Sequence, residues 1–218
     1  MARSGQTFGA IRTHPLAHPH LLQYYPLYIR FDGCVVHEVE QEKHVIRSPI
    51  GPVMQLAYLV EDLDSAIAQW MSLGVGPFFV SRDANYKDQL YKGQPVSCRF
   101  SLALAYTGEL QVELIQLLDD QPSSFSAFKD AHGYGLHHLG VLTKDIDGDL
   151  AKLEGLGHQV VHRMTSPLEV QTAYVDVALP GGASLELIQE SPTLEAGFYM
   201  MRQMTAEWDG GTPGIHEF

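Results

Sequence analysis

The chain has 218 residues, 45% of them hydrophobic, enough to bury a full core as one domain or two small ones. Its 14 basic against 26 acidic residues leave a formal net charge of −12, which argues against nucleic acid and anionic membrane surfaces as partners, since both would be repelled. Two cysteines, Cys34 and Cys98, are too few for a disulfide scaffold, no signal-peptide-like apolar core opens the chain, and no apolar run approaches the roughly 18 residues of a membrane helix, so the expectation is a folded cytoplasmic protein.

Residues 1–50 form an N-terminal arm. Its run His14-Pro-Leu-Ala-His-Pro-His20 reads as extended chain rather than a metal site, because two prolines interrupt it and the histidines have no regular spacing. Tyr24–Phe31 and Cys34–Val39 have the composition of short strands that cover a sheet edge or a partner subunit. A first unit, 51–118, opens with a strand over Val53–Val60. Asp62 or Asp64 caps the helix that follows, and Leu63, Ile67 and Trp70 give that helix its apolar stripe. Gly74-Val-Gly-Pro77 stops it. A strand at Phe78–Ser81, a polar excursion from Asp83 to Gln94, and strands over Val96–Ala105 and Leu110–Leu117 complete the unit.

Residues 119–134 read as a linker with a short capped helix, and a second unit, 135–190, repeats the order: strand 136–143, helix 145–156, then strands 158–164, 171–179 and 183–189. The C-terminal part, 191–218, carries a helix from Leu194 to Trp208 rich in Phe198, Tyr199, Met200, Met201 and Met204. That stripe is either packing or an adaptable wall over a ligand.

The two units echo each other residue by residue. Setting Gln55 on His138 places Asp62 on Asp145, Leu63 on Ile146 and Ile67 on Leu150, and Val112-Glu-Leu-Ile-Gln116 answers Leu185-Glu-Leu-Ile-Gln189. Two motifs repeating in one order mean a duplicated unit. Alternation along a strand puts Gln111, Glu113 and Ile115 on one face, and Ser184, Glu186 and Ile188 on one face. Each glutamate therefore interrupts an apolar strand at the same repeat position. If a pseudo-twofold axis relates the units, Gln55, Glu113, His138 and Glu186 converge as an O/N donor set suited to a divalent cation such as Zn, Ni, Co, Mn or Fe. By the same alternation His137 points to the opposite face and is a structural neighbour.

With His137-His-Leu-Gly-Val-Leu-Thr-Lys-Asp-Ile-Asp147 opening one unit and Leu185-Glu-Leu-Ile-Gln189 closing it, the chain resembles, over about residues 52–190, the vicinal oxygen chelate superfamily. That group includes glyoxalase I, methylmalonyl-CoA epimerase, extradiol dioxygenases, fosfomycin-resistance transferases and metal-free bleomycin-resistance proteins. The resemblance implies an α+β fold in which two tandem βαβββ units pair into a curved mixed sheet enclosing a metal and ligand cleft. It also implies metal ligation by Gln55, Glu113, His138 and Glu186. The set is similar to the glyoxalase I pattern with glutamine in place of the first-strand histidine, and it departs from the extradiol triad, which would want a histidine where Glu113 stands.

The implied activity is a metal-dependent isomerase, epimerase or lyase. It would abstract a proton next to a carbonyl and pass through a metal-stabilised enediolate, with Glu186 as base and Glu113 sharing that duty. An extradiol-type or other metal-dependent oxygenase and a metal-free small-molecule binding protein are the alternatives. Tyr58, Phe79, Tyr174 and Met201 point to a small apolar or aromatic oxygenated substrate, and Arg99 is one of few basic residues placed to meet a charged one. Exposed sheet edges and the N-terminal arm make a homodimer the expected assembly. Phosphate-binding glycine loops are absent from the sequence, and Cys98 reads as a buried thiol.

Overall fold

The structure, a computed structural model, describes residues 51–218. The arm expected over residues 1–50, with the His14–His20 run, both short strands and Cys34, lies outside the described residues. The first repeat comprises β1 (Val53–Leu59), α1 (Leu63–Ser72), β2 (Phe78–Ser81), β3 (Lys87–Tyr91), β4 (Gln94–Pro95), β5 (Phe100–Thr107) and β6 (Leu110–Leu117). After α2 (Ser124–His132), the second repeat comprises β7 (Gly135–Thr143), α3 (Ile146–Gly155), β8 (Gln159–Thr165), β9 (Gln171–Asp176) and β10 (Ser184–Gln189). Helix α4 (Pro192–Glu207) and β11 (Ile215–Glu217) end the chain.

The repeats meet at the middle of one mixed sheet, where β1 and β7 pair antiparallel. On its outer side β1 pairs in parallel with β6, and β7 in parallel with β10. The strand order β2-β5-β6-β1 in one half is mirrored by β8-β9-β10-β7 in the other, so a pseudo-twofold axis passes between the central strands. The fold is the expected α+β arrangement around a curved, unclosed mixed sheet.

Local chemistry repeats with the topology. Asp62 caps α1 by accepting the Ser65 N–H at 2.8 Å, and Asp145 caps α3 by accepting the Gly148 N–H at 3.0 Å. Gln116 accepts the Leu63 N–H at 3.0 Å and Gln189 accepts the Ile146 N–H at 3.0 Å, so each closing motif satisfies the first free donor of its own repeat's helix. Helix α1 buries Leu63 and Ile67 against Phe78, Val80, Ala103 and Leu114, and α3 buries Ile146, Leu150 and Leu153 against Val141, Val175 and Leu187. Each such side chain removed from water contributes about 1.5–3 kcal/mol. The opposite, concave face collects Leu59, Phe100, Leu102, Leu104, Tyr106 and Tyr174, covered by Phe125 and Phe128 of α2 and by Phe198 and Met201 of α4.

The polar excursion proves to be a hairpin. Strands β3 and β4 pair with each other, and β3 continues the sheet beyond β8, with Lys87 opposite Thr165 and Tyr91 opposite His162. An insertion in the first repeat thus seals the outer edge of the second, and the connecting residues 82–86 cross the open side of the cleft. Strand β5 begins at Phe100 rather than Val96, because Gln89 of the hairpin bonds the Cys98 backbone on both sides. Burial pushes the Cys98 thiol up to about 11, leaving it protonated. Among the described residues no helix is long and apolar enough to cross a membrane.

Candidate metal centre

Glu113 on β6, His138 on β7 and Glu186 on β10 project from the concave face and meet. His138 Nε2 lies 3.2 Å from Glu113 Oε2 and 3.1 Å from Glu186 Oε2. Small residues in the intervening positions allow this. Ala57 pairs with Glu113 on one side and with His138 on the other, so only a methyl group lies between the carboxylate and the ring. Gly140 in turn pairs with both Gln55 and Glu186, and any side chain there would collide with Gln55 Oε1. Among the described residues these three side chains form the one group of histidine, cysteine or acidic donors gathered closely enough to hold a metal, all within 4.8 Å of one another.

The donors fit a cation. His138 is 0% exposed and the glutamates 7% and 5%, so two carboxylates are buried beside a single imidazole. Although Nε2 is close to both carboxylates, neither oxygen lies along its N–H direction, and Nε2 has no hydrogen-bond partner. The three groups are aimed at shared space rather than at one another. Gln55 Oε1 is likewise buried without a donor, while its Nε2 donates to Gln111 Oε1 at 2.9 Å. Unpaired buried acceptors at one site need a cation or a proton between them.

Burial opposes a charge on His138, but the two glutamates outweigh it and raise the imidazole to about 9. Burial raises Glu113, against the pull of His138. Tyr86 and Tyr174 are both pushed upward by burial and by the nearby glutamates, so their hydroxyls stay protonated. The cavity above the cluster has a volume of about 400 Å³. Gln55, Gln111, Glu113 and Glu186 form its polar floor. Leu102, Leu104, Val170 and Ile188 form its walls, and Leu194, Phe198 and Met201 of α4 its roof.

The predicted contact residues divide. Met201 lines the cavity, and Tyr174 lies behind its floor with its ring 5.1 Å from that of His138. Phe79 is buried in the same apolar cluster, stacked on His216 at 5.3 Å, but does not line the cavity. Tyr58 is a correction: Gln55, Ala57 and Leu59 take the concave face, so Tyr58 points to the helix side and packs on Trp70 at 5.7 Å. Arg99 is a second correction, an exposed guanidinium held 2.6 Å from Asp83 and outside the cavity lining.

His137 is a third. The β1–β7 register slips so that Ala57 faces His138 while Tyr58 faces Leu136, leaving His137 as the extra residue of a β-bulge. Freed from alternation, its ring packs on Phe125 and Phe128 on the concave side, with Nδ1 2.9 Å from His138 Nδ1. Sequence reasoning missed Tyr86, Leu102 and Leu104, of which only Leu102 and Leu104 carried a signal, the two-residue period of β5; Phe198, one residue of the apolar stripe on the C-terminal helix, does line the cavity.

A family model described as the Glyoxalase/Bleomycin resistance protein/Dioxygenase superfamily matches residues 54–175, more than half of the chain. Comparison with curated proteins finds no match. Among solved structures, the chain is similar to methylmalonyl-CoA epimerase from Mycobacterium tuberculosis, at 22% identity and a TM-score of 0.47 over 69% of this chain and 95% of that one. It is also similar to a hypothetical protein from Bacillus halodurans C-125, at 17% identity and 0.46 over 64% and 94%. A methylmalonyl-CoA epimerase in complex with methylmalonyl-CoA and NH4+ aligns at 16% identity and 0.45 over 66% and 96%.

Proposed function

The chain belongs to the Glyoxalase/Bleomycin resistance protein/Dioxygenase superfamily, and on that premise we propose that it is a metal-dependent isomerase, epimerase or lyase that moves a proton beside the carbonyl of a small, apolar, oxygenated substrate. The observation that carries this reading is the buried Glu113–His138–Glu186 cluster at the floor of an apolar cavity.

Gln55, Glu113, His138 and Glu186 would hold the ion. A divalent cation bound there supplies the fixed positive charge that stabilises negative charge on neighbouring substrate oxygens and acidifies the adjacent C–H. The chain's own residues do the rest. Glu186, with Glu113 sharing the role, takes the proton at a carboxylate oxygen and returns it to the same or a neighbouring carbon. The upward shift that burial gives Glu113 brings a carboxylate closer to the pH at which such transfer is efficient. Tyr86, half-buried on the cavity wall with its hydroxyl kept protonated, is placed to donate to a substrate oxygen. Phe198 and Met201 keep water from the floor.

Among the described residues Arg82 is the one basic residue lining the cavity, and Asp64 at 2.5 Å and Glu217 at 3.3 Å already neutralise it. That favours a neutral substrate. One observation favours a second reading, a metal-free binding protein. With His138 raised to about 9, an imidazolium between the two glutamates also offsets part of the buried negative charge.

Metal content of the purified chain, beside His138→Ala and Glu186→Gln, separates the two. About one divalent ion per chain, lost in His138→Ala, supports the enzyme, and incubation of carbonyl compounds in D2O then reads proton exchange directly. No metal, and no change in either variant, leaves the binding protein.

A further inference from the structure

We infer that Gln111 is a positioning residue of the metal centre: it determines that Gln55 presents its amide oxygen, rather than its nitrogen, to the site. The inference rests on the metal-centre reading and concerns a residue outside the proposed ligand set. A glutamine ligates through oxygen alone, since its amide nitrogen has no free lone pair, so a ligand glutamine needs its nitrogen engaged elsewhere. Gln55 Nε2 is engaged by Gln111 Oε1 at 2.9 Å, which leaves Gln55 Oε1 buried and without a donor. Gln111, itself 0% exposed, is held in turn: its Nε2 donates to the Tyr106 hydroxyl oxygen at 3.0 Å, and Arg202 of α4 donates to that same oxygen at 3.4 Å.

The second repeat supports the assignment by contrast. Aligning Glu113 with Glu186 puts Ser184 at the position of Gln111. Ser184 donates to the His137 carbonyl at 3.3 Å and touches no ligand side chain through a hydrogen bond. In that repeat the first-strand residue is His138, an imidazole with no oxygen-or-nitrogen choice to settle. The amide-orienting residue is found only where the first-strand residue is an amide. The competing arrangement is also plain: with its nitrogen free, Gln55 would turn an N–H toward the two buried carboxylates and repel a cation.

The test is titration of the metal-stripped full chain with Co2+, followed by calorimetry and visible absorption. Gln111→Met keeps the volume and removes the acceptor, and should weaken Co2+ binding about tenfold or more, the usual loss for an outer residue that orients a ligand. Gln111→Glu can only accept, so it keeps Gln55 in place and should bind at least as tightly as the unsubstituted chain. In a Gln55→His background the Gln111→Met change should cost less than about twofold, because the coupling is gone. Unchanged affinity in Gln111→Met overturns the role, as does an equal loss in Gln111→Glu or an undiminished loss beside Gln55→His. Should Gln111→Met fail to fold, Tyr106→Phe removes the next support, and unchanged Co2+ affinity there overturns the role equally. An unsubstituted chain that takes no Co2+ overturns the metal centre and this role together, whereas the variant outcomes bear on Gln111 alone.

Discussion

Glu113 and His138 stand on strands that do not pair with each other, yet their side chains meet at 3.2 Å across the strand that separates them. The contact exists because Ala57, fully buried between them, offers only a methyl group. Replacing it by valine puts two more methyl-sized contacts where the donors converge. Ala57→Val should cost about 1–3 kcal/mol of stability through overpacking and sharply weaken metal binding. Thermal unfolding and Co2+ titration check the two effects. A variant that is destabilised but binds Co2+ normally would show that the donors do not need this gap.

The raised imidazole makes the metal-free protein pH-dependent in a defined sense. A histidine free in the unfolded chain titrates near 6.5, and His138 in the fold near 9. The folded state therefore binds the proton more tightly, its contribution is complete below about 6.5, and it is lost as pH rises through about 9, on the order of a few kcal/mol. Urea unfolding of the metal-stripped chain at pH 6 and pH 9.5 should show the loss, and His138→Gln should flatten it. Metal binding at pH 7 must also expel this proton. Calorimetry in buffers of different ionisation enthalpy should find about one proton released per ion, and none released would contradict a charged His138 in the metal-free state.

Gln116 and Gln189 each accept the N–H of a first helical residue, Leu63 and Ile146, from a strand the helix packs on. Gln116→Leu and Gln189→Leu should each cost about 1 kcal/mol, because each leaves a helical donor without a partner. The costs should add in the double variant, since the two caps lie in different repeats. Denaturant unfolding measures this, and Co2+ affinity should stay within error. A large fall in affinity would mean the caps also shape the metal centre.

Those glutamines show what the sequence could carry. The repeated Glu-Leu-Ile-Gln motif holds a site residue at its glutamate and a structural one at its glutamine, and a two-residue period is enough to place Glu113 and Glu186 on the concave face. The same period, started from Gln55, excludes Tyr58 from the cavity: register, not aromatic character, decides its face. His137 was beyond reach, because one slipped pair between β1 and β7 decides where it points. So was the β3–β4 hairpin, a polar pair of strands whose partner, β8, lies across the sheet in the other repeat. Arg99 could be recognised as a cation, but its engagement by Asp83 depends on how the strap over residues 82–86 runs.

Arg82 can meet a ligand only by leaving its acidic partners. It lines the cavity, yet its guanidinium is shared between Asp64 and Glu217, and the rest of the walls and roof are largely aliphatic or aromatic. A ligand that chelates at the floor extends its remaining atoms past Leu102, Leu104 and Met201. Among the described residues no free cation faces that tail, so a negative charge on it would lose its hydration uncompensated, a penalty of at least a few kcal/mol. Two probes with the same chelating end separate the cases: 2-hydroxyacetophenone and its ring 4-carboxylate. By ligand-observed NMR on the metal-loaded chain, the carboxylate should bind at least about tenfold more weakly, which is only 1.4 kcal/mol of that penalty. Arg82→Met should leave the neutral probe unaffected. If the carboxylate binds as well as the neutral probe, and Arg82→Met abolishes that binding, then Arg82 exchanges its acidic partners for the ligand and the site selects anions.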